Sequence, residues 1–503
     1  MSSRLVLLWT AVLLGGCATR GLDRDDRARL EQTRQATLEL RQTLETYYDG
    51  PTVLDDTWYL PPDHAGRRAG IERQAENLAR TWLWREAFVI GAIGSSVIAG
   101  HDSCLADNYP SQLERTLAPV WEAAEIAFSV RNAAQGGACG DSYQNQVWCL
   151  ATLVGDDLDV THYEWTYFEN RDPNMFAFHE MFYRNSLLHS GAAAHQLLYT
   201  GDCDGLHARD QALLERYAPF GADVLCMSRG ITRAGYPGKA WGVVGDTLHD
   251  TTREGEAPDV TPERRDSLGV VFRNWHPGPL LFQTTADALA WRYTEALLLA
   301  LEWIEREPAP FERWPAFTDA LTSADLPKLT ECPASWCGGD DLPVCANFET
   351  PTFGRNSIAL LAAIEKPVPG DKIGAWTFTA TPEQRPLPEG EADWPHCTHP
   401  QACSGWSAPR GVAPEPLRFE VPALSQGLLL ACCGRKHCGA DFEQAGATFT
   451  LDGEASQARA STFAQKCIEI DVPASKLGKA FELGIEIPAR DHPLPPVTHV
   501  IGR

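Results

Sequence analysis

Between about residue 70 and residue 305 the chain alternates short apolar runs with longer amphipathic stretches, and this alternation restricts the fold more than any other feature. An apolar run with no polar face must be buried on both sides. Consecutive parallel strands also need a long crossover between them, usually a helix. Residues 87–93 form one such strand-like run, ending in Gly94-Ser95-Ser96. Residues 110–126 carry Leu113, Leu117, Val120 and Ala124 on one helical face. Residues 128–131 and 158–168 read as the second and third strands, 173–188 as a helix, 221–226 as a fourth strand and 280–305 as a long apolar helix. The expected fold is α/β, a parallel sheet with helices on both faces. After about residue 310 prolines and cysteines become dense and helical periodicity nearly vanishes. Short runs at 375–379, 417–421, 428–431, 448–451, 468–472 and 481–487 predict a smaller disulfide-rich domain, a β-sandwich or jelly roll.

The N-terminus carries an address. Arg4 precedes an apolar run over residues 5–14, followed by Leu14-Gly15-Gly16-Cys17. A basic start, a short apolar core and small residues describe a secretory signal peptide, too short to favour a spanning helix. The segment resembles a bacterial lipobox, which implies lipidation at Cys17 and an exported protein, an outer-membrane lipoprotein or an extracellular one, held to the membrane by that lipid alone. The predicted division is a signal peptide over 1–17, a charged helical extension over 18–70 (a tether or packing helix), the α/β domain over 71–308 and the Cys/Pro-rich β domain over 309–503. Of the 15 cysteines, the 14 beyond Cys17 suit a disulfide framework in an oxidising compartment. Five lie between Cys104 and Cys226 and nine between Cys332 and Cys467. Both counts are odd, so either a bridge joins the two regions or two thiols stay free. The formal net charge of −24 repels nucleic acid and excludes it as a partner.

The segment Ile93-Gly94-Ser95-Ser96 delivers a serine from an apolar strand onto a glycine-flanked turn, and Ala99-Gly100 closes it. Such a turn presents a hydroxyl at the C-terminal edge of a parallel sheet, where open α/β sheets bind ligands. A serine nucleophile needs a base for its proton and donors for the oxyanion. With Asn132 and Gly137 after the second strand, and Asn274-Trp275-His276-Pro277-Gly278-Pro279 before the long helix, the set resembles the SGNH, or GDSL-type, hydrolases. The last string is similar to a branch of large SGNH proteins. The resemblance covers about residues 85–305 and implies a three-layer, flavodoxin-like fold and a serine esterase acting on acetylated polysaccharides, lipids or small esters. It implies Ser96 as nucleophile, His276 as general base, and the backbone N–H groups of Ser96 and Gly137 as oxyanion donors. No metal or organic cofactor is required. Two positions depart from the family pattern. Phe168 stands where an oxyanion-hole asparagine is expected, leaving Asn170 as the candidate. Arg273 stands where the acid partner of the histidine is expected, leaving Asn274 to orient the imidazole, or Asp246 or Asp250 to serve from elsewhere.

Other features read more plainly. Gly140-Asp141-Ser142 follows no apolar strand and is expected to be a loop, stapled by Cys139 and Cys149. His179, His189 and His195 are spaced by ten and six, unlike metal ligands on one helix face, and read as packing or surface groups. The cysteine groups around 332–345 and 432–438 suit disulfides better than zinc. Trp376, Trp394 and Trp406 are candidates for stacking on sugars, or for core positions. The rival to an esterase is a non-catalytic surface protein binding glycans or partners; a metallohydrolase ranks third.

Overall fold

The computed structural model describes residues 21–100, 108–134, 143–164, 172–190, 193–198, 206–227, 229, 272–273, 276–277, 279–316, 321–340, 342–347, 372–379, 405–409, 411, 413–433, 438–462, 464, 466–489 and 496–503. Its N-terminal half runs α1 (Arg24–Tyr47), α2 (Thr52–Asp56), α3 (Ala65–Trp84), β1 (Phe88–Gly94), α4 (Ser96–Ala99), α5 (Tyr109–Ala123), β2 (Phe128–Asn132), α6 (Tyr143–Trp148), α7 (Leu150–Val154), β3 (Val160–Glu164), α8 (Met175–Ser190), β4 (Ala193–Leu198), α9 (Ala208–Tyr217), β5 (Asp223–Cys226), the two-residue strands β6 (Phe272–Arg273) and β7 (His276–Pro277), and α10 (Pro279–Arg306).

The five longer strands pair in parallel, in spatial order β2-β1-β3-β4-β5. All seven residues of β1 are buried, because successive side chains enter different cores. Ile90 and Ala92 meet Leu78 and Trp82 of α3, Leu113 and Leu117 of α5, and Leu289 and Leu297 of α10. Val89 and Ile93 meet Val147, Leu153, Phe178 and Phe182 on the opposite face. That two-sided burial explains why β1 reads as an unbroken apolar run. The strand missed from sequence is β4: Ala-Ala-His-Gln-Leu-Leu has no β-branched residue and a polar pair at its centre. The segment at 221–226 is therefore the fifth strand. Within the expected third strand, 158–168, the described part is Val160–Glu164, and residues 165–171 lie outside the described residues.

Residues 24–47, expected to be a tether or a packing helix, pack. Asp23 caps the helix by accepting the Asp26 N–H at 2.8 Å. Leu30 and Leu44 join the first core. Arg29 donates to the carbonyls of Trp82 (2.9 Å) and Ala124 (3.1 Å) with its guanidinium over the Trp82 ring. Burial lowers its pKa to about 10, so the group stays charged at neutral pH.

The C-terminal half contributes β8 (Val344–Asn347), β9 (Lys372–Ile373), β10 (Trp376–Thr379), β11 (Gly405–Ser407), β12 (Leu417–Val421), β13 (Leu429–Cys433), β14 (Thr448–Leu451), β15 (Glu454–Ser456), β16 (Ala458–Ala460), β17 (Cys467–Ile470), β18 (Phe481–Glu486) and β19 (Val497–Gly502). An eight-stranded sheet has the path β16-β17-β13-β19-β11-β10-β9, with β8 also on β19. A four-stranded sheet has the order β12-β18-β14-β15. Both are antiparallel, and residues of both close one shared core. Trp376 and Trp406 lie inside that core, 0% and 4% exposed, which removes them as sugar-stacking surfaces; Trp394 lies outside the described residues.

Among the described residues three disulfides are defined: Cys149–Cys345, Cys332–Cys337 and Cys432–Cys467. Cys149 thus does not staple the 139–149 loop. It caps α7 and reaches β8 of the C-terminal sheet, so one bridge does join the two cysteine groups. No helix among the described residues is long and apolar enough to cross a membrane. The Cys149–Cys345 bridge closes a loop of 196 residues. Replacing both cysteines by alanine should cost about 2–4 kcal/mol. Urea unfolding under non-reducing conditions measures it; unchanged stability would contradict a tightly docked pair of domains.

Candidate active site

The strand order places a crossover reversal between β1 and β3, and the crevice outside their C-terminal ends is the expected ligand position in such sheets. The chain there is Gly94-Ser95-Ser96. Ser95 is extended (φ −88°, ψ −169°) and caps α4, its Oγ accepting the Val97 N–H at 3.1 Å. Ser96 is the first residue of the turn, and Gly100 ends it at φ +75°, a conformation that favours glycine. The turn is held from several sides. Asn132 of β2 donates to the Ile98 carbonyl (3.2 Å), Asn108 to that of Ala99 (3.3 Å), and Gln146 of α6 to that of Gly94 (3.1 Å). Ser95 donates its hydroxyl to Glu164 Oε2 at 2.7 Å and its N–H to the Glu164 carbonyl at 3.1 Å. Ser96 is 3% exposed.

Of the residues singled out from sequence, Ser96 stands at this edge. The β7 backbone, His276 and Pro277, comes within 8 Å of α4 between Cα atoms and pairs antiparallel with β6, Arg273 opposite His276. Gly137, Ser142, Asn170, Asp246, Asp250 and Asn274 lie outside the described residues, as does Cys17. The three histidines weighed as metal ligands are dispersed. His179 binds Asp210 (2.7 Å), His189 the Gly155 carbonyl (2.6 Å) and His195 the Tyr293 hydroxyl (3.2 Å). Among the described residues no group of three or more His, Cys, Asp or Glu side chains could hold a metal ion.

Sequence reading missed a buried polar row behind this edge. His162, His195 and Asp223 lie in register on β3, β4 and β5. His162 bonds Tyr109 (3.1 Å) and Tyr293 (2.5 Å), and Tyr293 also bonds His195. Asp223 faces Arg292 at 3.4 Å, both fully buried. Burial drives the His162 pKa down to about 3 and that of His195 well below its usual value, so both imidazoles are neutral. Burial raises Asp223, against the opposing pull of Arg292. The available signal was a polar residue within two of the strand-like runs, His162 in 158–168 and Asp223 in 221–226.

No family model and no curated protein matches the chain. Two solved structures of a two-domain esterase, CEX, active on acetylated mannans, align with it at 13% and 12% identity. They cover 86% and 85% of this chain and 96% and 94% of theirs, with TM-scores of 0.39 and 0.37. The second was co-crystallized with mannopentaose. At those scores the overlay carries no weight, and the functional reading rests on the residues themselves.

The neutral imidazoles set a pH dependence. An unfolded chain protonates histidine near pH 6.5, whereas the fold holds His162 neutral down to about 3. The unfolded state therefore binds more protons between those values, and stability falls as pH drops through that window. His162→Asn should be destabilised at pH 7.5 by the loss of bonds to Tyr109 and Tyr293. Its deficit against wild type should narrow by about 2 kcal/mol by pH 5, the work of keeping one imidazole neutral. Urea titrations at the two pH values test this, and a constant deficit would contradict a neutral His162.

Proposed function

We propose that the chain is an exported serine esterase that removes small acyl groups, acetyl among them, from cell-envelope or extracellular polysaccharides. The observation that carries this reading is Ser96 on the first residue of a capped helical turn, at the reversal point of a parallel β2-β1-β3-β4-β5 sheet, with the backbone of β7 within 8 Å of the same turn between Cα atoms. The low exposure of Ser96 suits a small acyl group.

In this mechanism the Ser96 hydroxyl attacks the ester carbonyl and His276 takes its proton. The oxyanion is held by the N–H groups of Ser96 and Gly137, with Asn170 as the side-chain donor. Return of the proton to the departing alkoxide leaves an acyl-serine. Water, deprotonated by His276, then releases the acid and restores Ser96. Asn274 orients the imidazole as a neutral amide. The lipid on Cys17 holds the enzyme at the membrane.

A fluorophosphonate probe should modify Ser96, as read by mass spectrometry of the labelled peptide. Ser96→Ala should lower hydrolysis of 4-nitrophenyl acetate at least about a thousandfold, and His276→Ala should abolish labelling. A folded protein that is never labelled would support the rival, a non-catalytic glycan- or partner-binding protein. Phe168 and Arg273 favour that rival, standing where an oxyanion donor and an acid are expected. Labelling at Ser142 would move the nucleophile, and activity abolished by a chelator would support a metallohydrolase. Full-length protein should sediment with membranes and incorporate a palmitate analogue; Cys17→Ser should do neither.

A further inference from the structure

Glu164 is the last described residue of the buried strand β3. Glu164 is fully buried, a costly position for an ionisable group unless it is well bonded. Two bonds join it to the residue before the proposed nucleophile. Oε2 accepts the Ser95 hydroxyl at 2.7 Å, and the Glu164 carbonyl accepts the Ser95 N–H at 3.1 Å. The same Ser95 oxygen accepts the Val97 N–H at 3.1 Å, so the carboxylate is linked through one hydroxyl to the first turn of α4. Gly94 makes this approach possible: a Cβ there would stand 2.8 Å from the Glu164 carbonyl and 2.6 Å from Ile98 Cδ1. Residue 95 is thereby tied to β3 through both its backbone and its side chain.

We infer that Glu164 is a positioning residue for Ser96, acting through Ser95; this rests on Ser96 being the nucleophile. The direction of the Ser96 side chain follows from the backbone at 95–96, and two bonds to Glu164 set that backbone. A nucleophile displaced by about 1 Å can lose about a hundredfold in rate. Ser95 and Glu164 form a matched donor and acceptor. A carboxyl at position 95 would face the Glu164 carboxyl in a fully buried site, two acid groups competing for one donor, whereas an amide at 164 could donate to it.

Four variants and one double variant test the pairing in the purified protein. Turnover of 4-nitrophenyl acetate, fluorophosphonate labelling and thermal unfolding are measured for each. Glu164→Gln, which retains an acceptor for Ser95, should keep kcat within about threefold of wild type. Ser95→Ala and Glu164→Leu should lower kcat about a hundredfold with KM little changed, while remaining folded. Ser95→Asp should lose at least as much, and Ser95→Asp with Glu164→Gln should recover to within about tenfold of wild type. A purely structural pair would shift the unfolding temperature and leave the kcat of the folded fraction unchanged. That outcome overturns the inference, as does a double variant no better than Ser95→Asp alone. A wild-type protein that neither turns over substrate nor labels at Ser96 overturns the nucleophile assignment and the inference with it. A wild type that labels, with variants that match it, overturns the positioning role alone.

Discussion

The pairing of β1 with β2 on one side and β3 on the other governs the rest of the N-terminal domain. A parallel strand pair needs a crossover, and crossovers are overwhelmingly right-handed. With β1 inside the order β2-β1-β3-β4-β5, the chain leaves on one face for β2 and crosses on the other for β3. In open sheets of this kind, that change of face sets the ligand position at the C-terminal ends of the two strands, here β1 and β3. The helices then follow: α1, α3, α5 and α10 share one core, and α6 to α9 lie with the other. Ser95 and Ser96 follow directly on β1, and Glu164 is the last described residue of β3, so all three come together at that edge.

Behind that edge the core is unusually polar. A neutral His162 and His195, two tyrosines and the Asp223–Arg292 pair occupy positions that aliphatic residues ordinarily fill. Such a network is tolerable only where its members find partners, since a buried unpaired polar group is costly. Tyr293 from α10 serves both histidines, and Tyr109 from α5 serves His162, so two helices are keyed to the sheet by direction-specific bonds as well as by apolar contact.

The C-terminal sandwich is bound to the first domain by more than a covalent link. Cys149–Cys345 ties α7 to β8. Glu180 of α8 accepts the backbone N–H groups of Thr330, Glu331 and Cys332, fixing the connecting segment. Asn145 of α6 meets His499 of β19 at 3.2 Å, while its neighbour Gln146 supports Gly94. One short helix thus touches both the sandwich and the turn that carries Ser96, so seating of the sandwich bears on the candidate site.

The sequence by itself determined what depends on local pattern. Two-sided burial makes β1 an unbroken apolar run, and the helical stripe of Leu113, Leu117 and Val120 announces α5. Gly94 and Gly100 bracket the serine turn, and the alternating run at 417–421 is a strand with one buried face. Tertiary structure decided what depends on partners distant along the chain. The strand β4 forms from a weak local sequence because β3 and β5 supply its bonds. Cys149 pairs across 196 residues with Cys345, and Trp376 and Trp406 are core because a second sheet covers them. Glu164, an unremarkable acidic residue within the 158–168 run of the sequence, becomes the acceptor for Ser95 only when β1 and β3 lie side by side. A side chain's own propensity acts over a few residues, whereas burial and hydrogen-bond partnership are properties of neighbours that only the folded chain brings together.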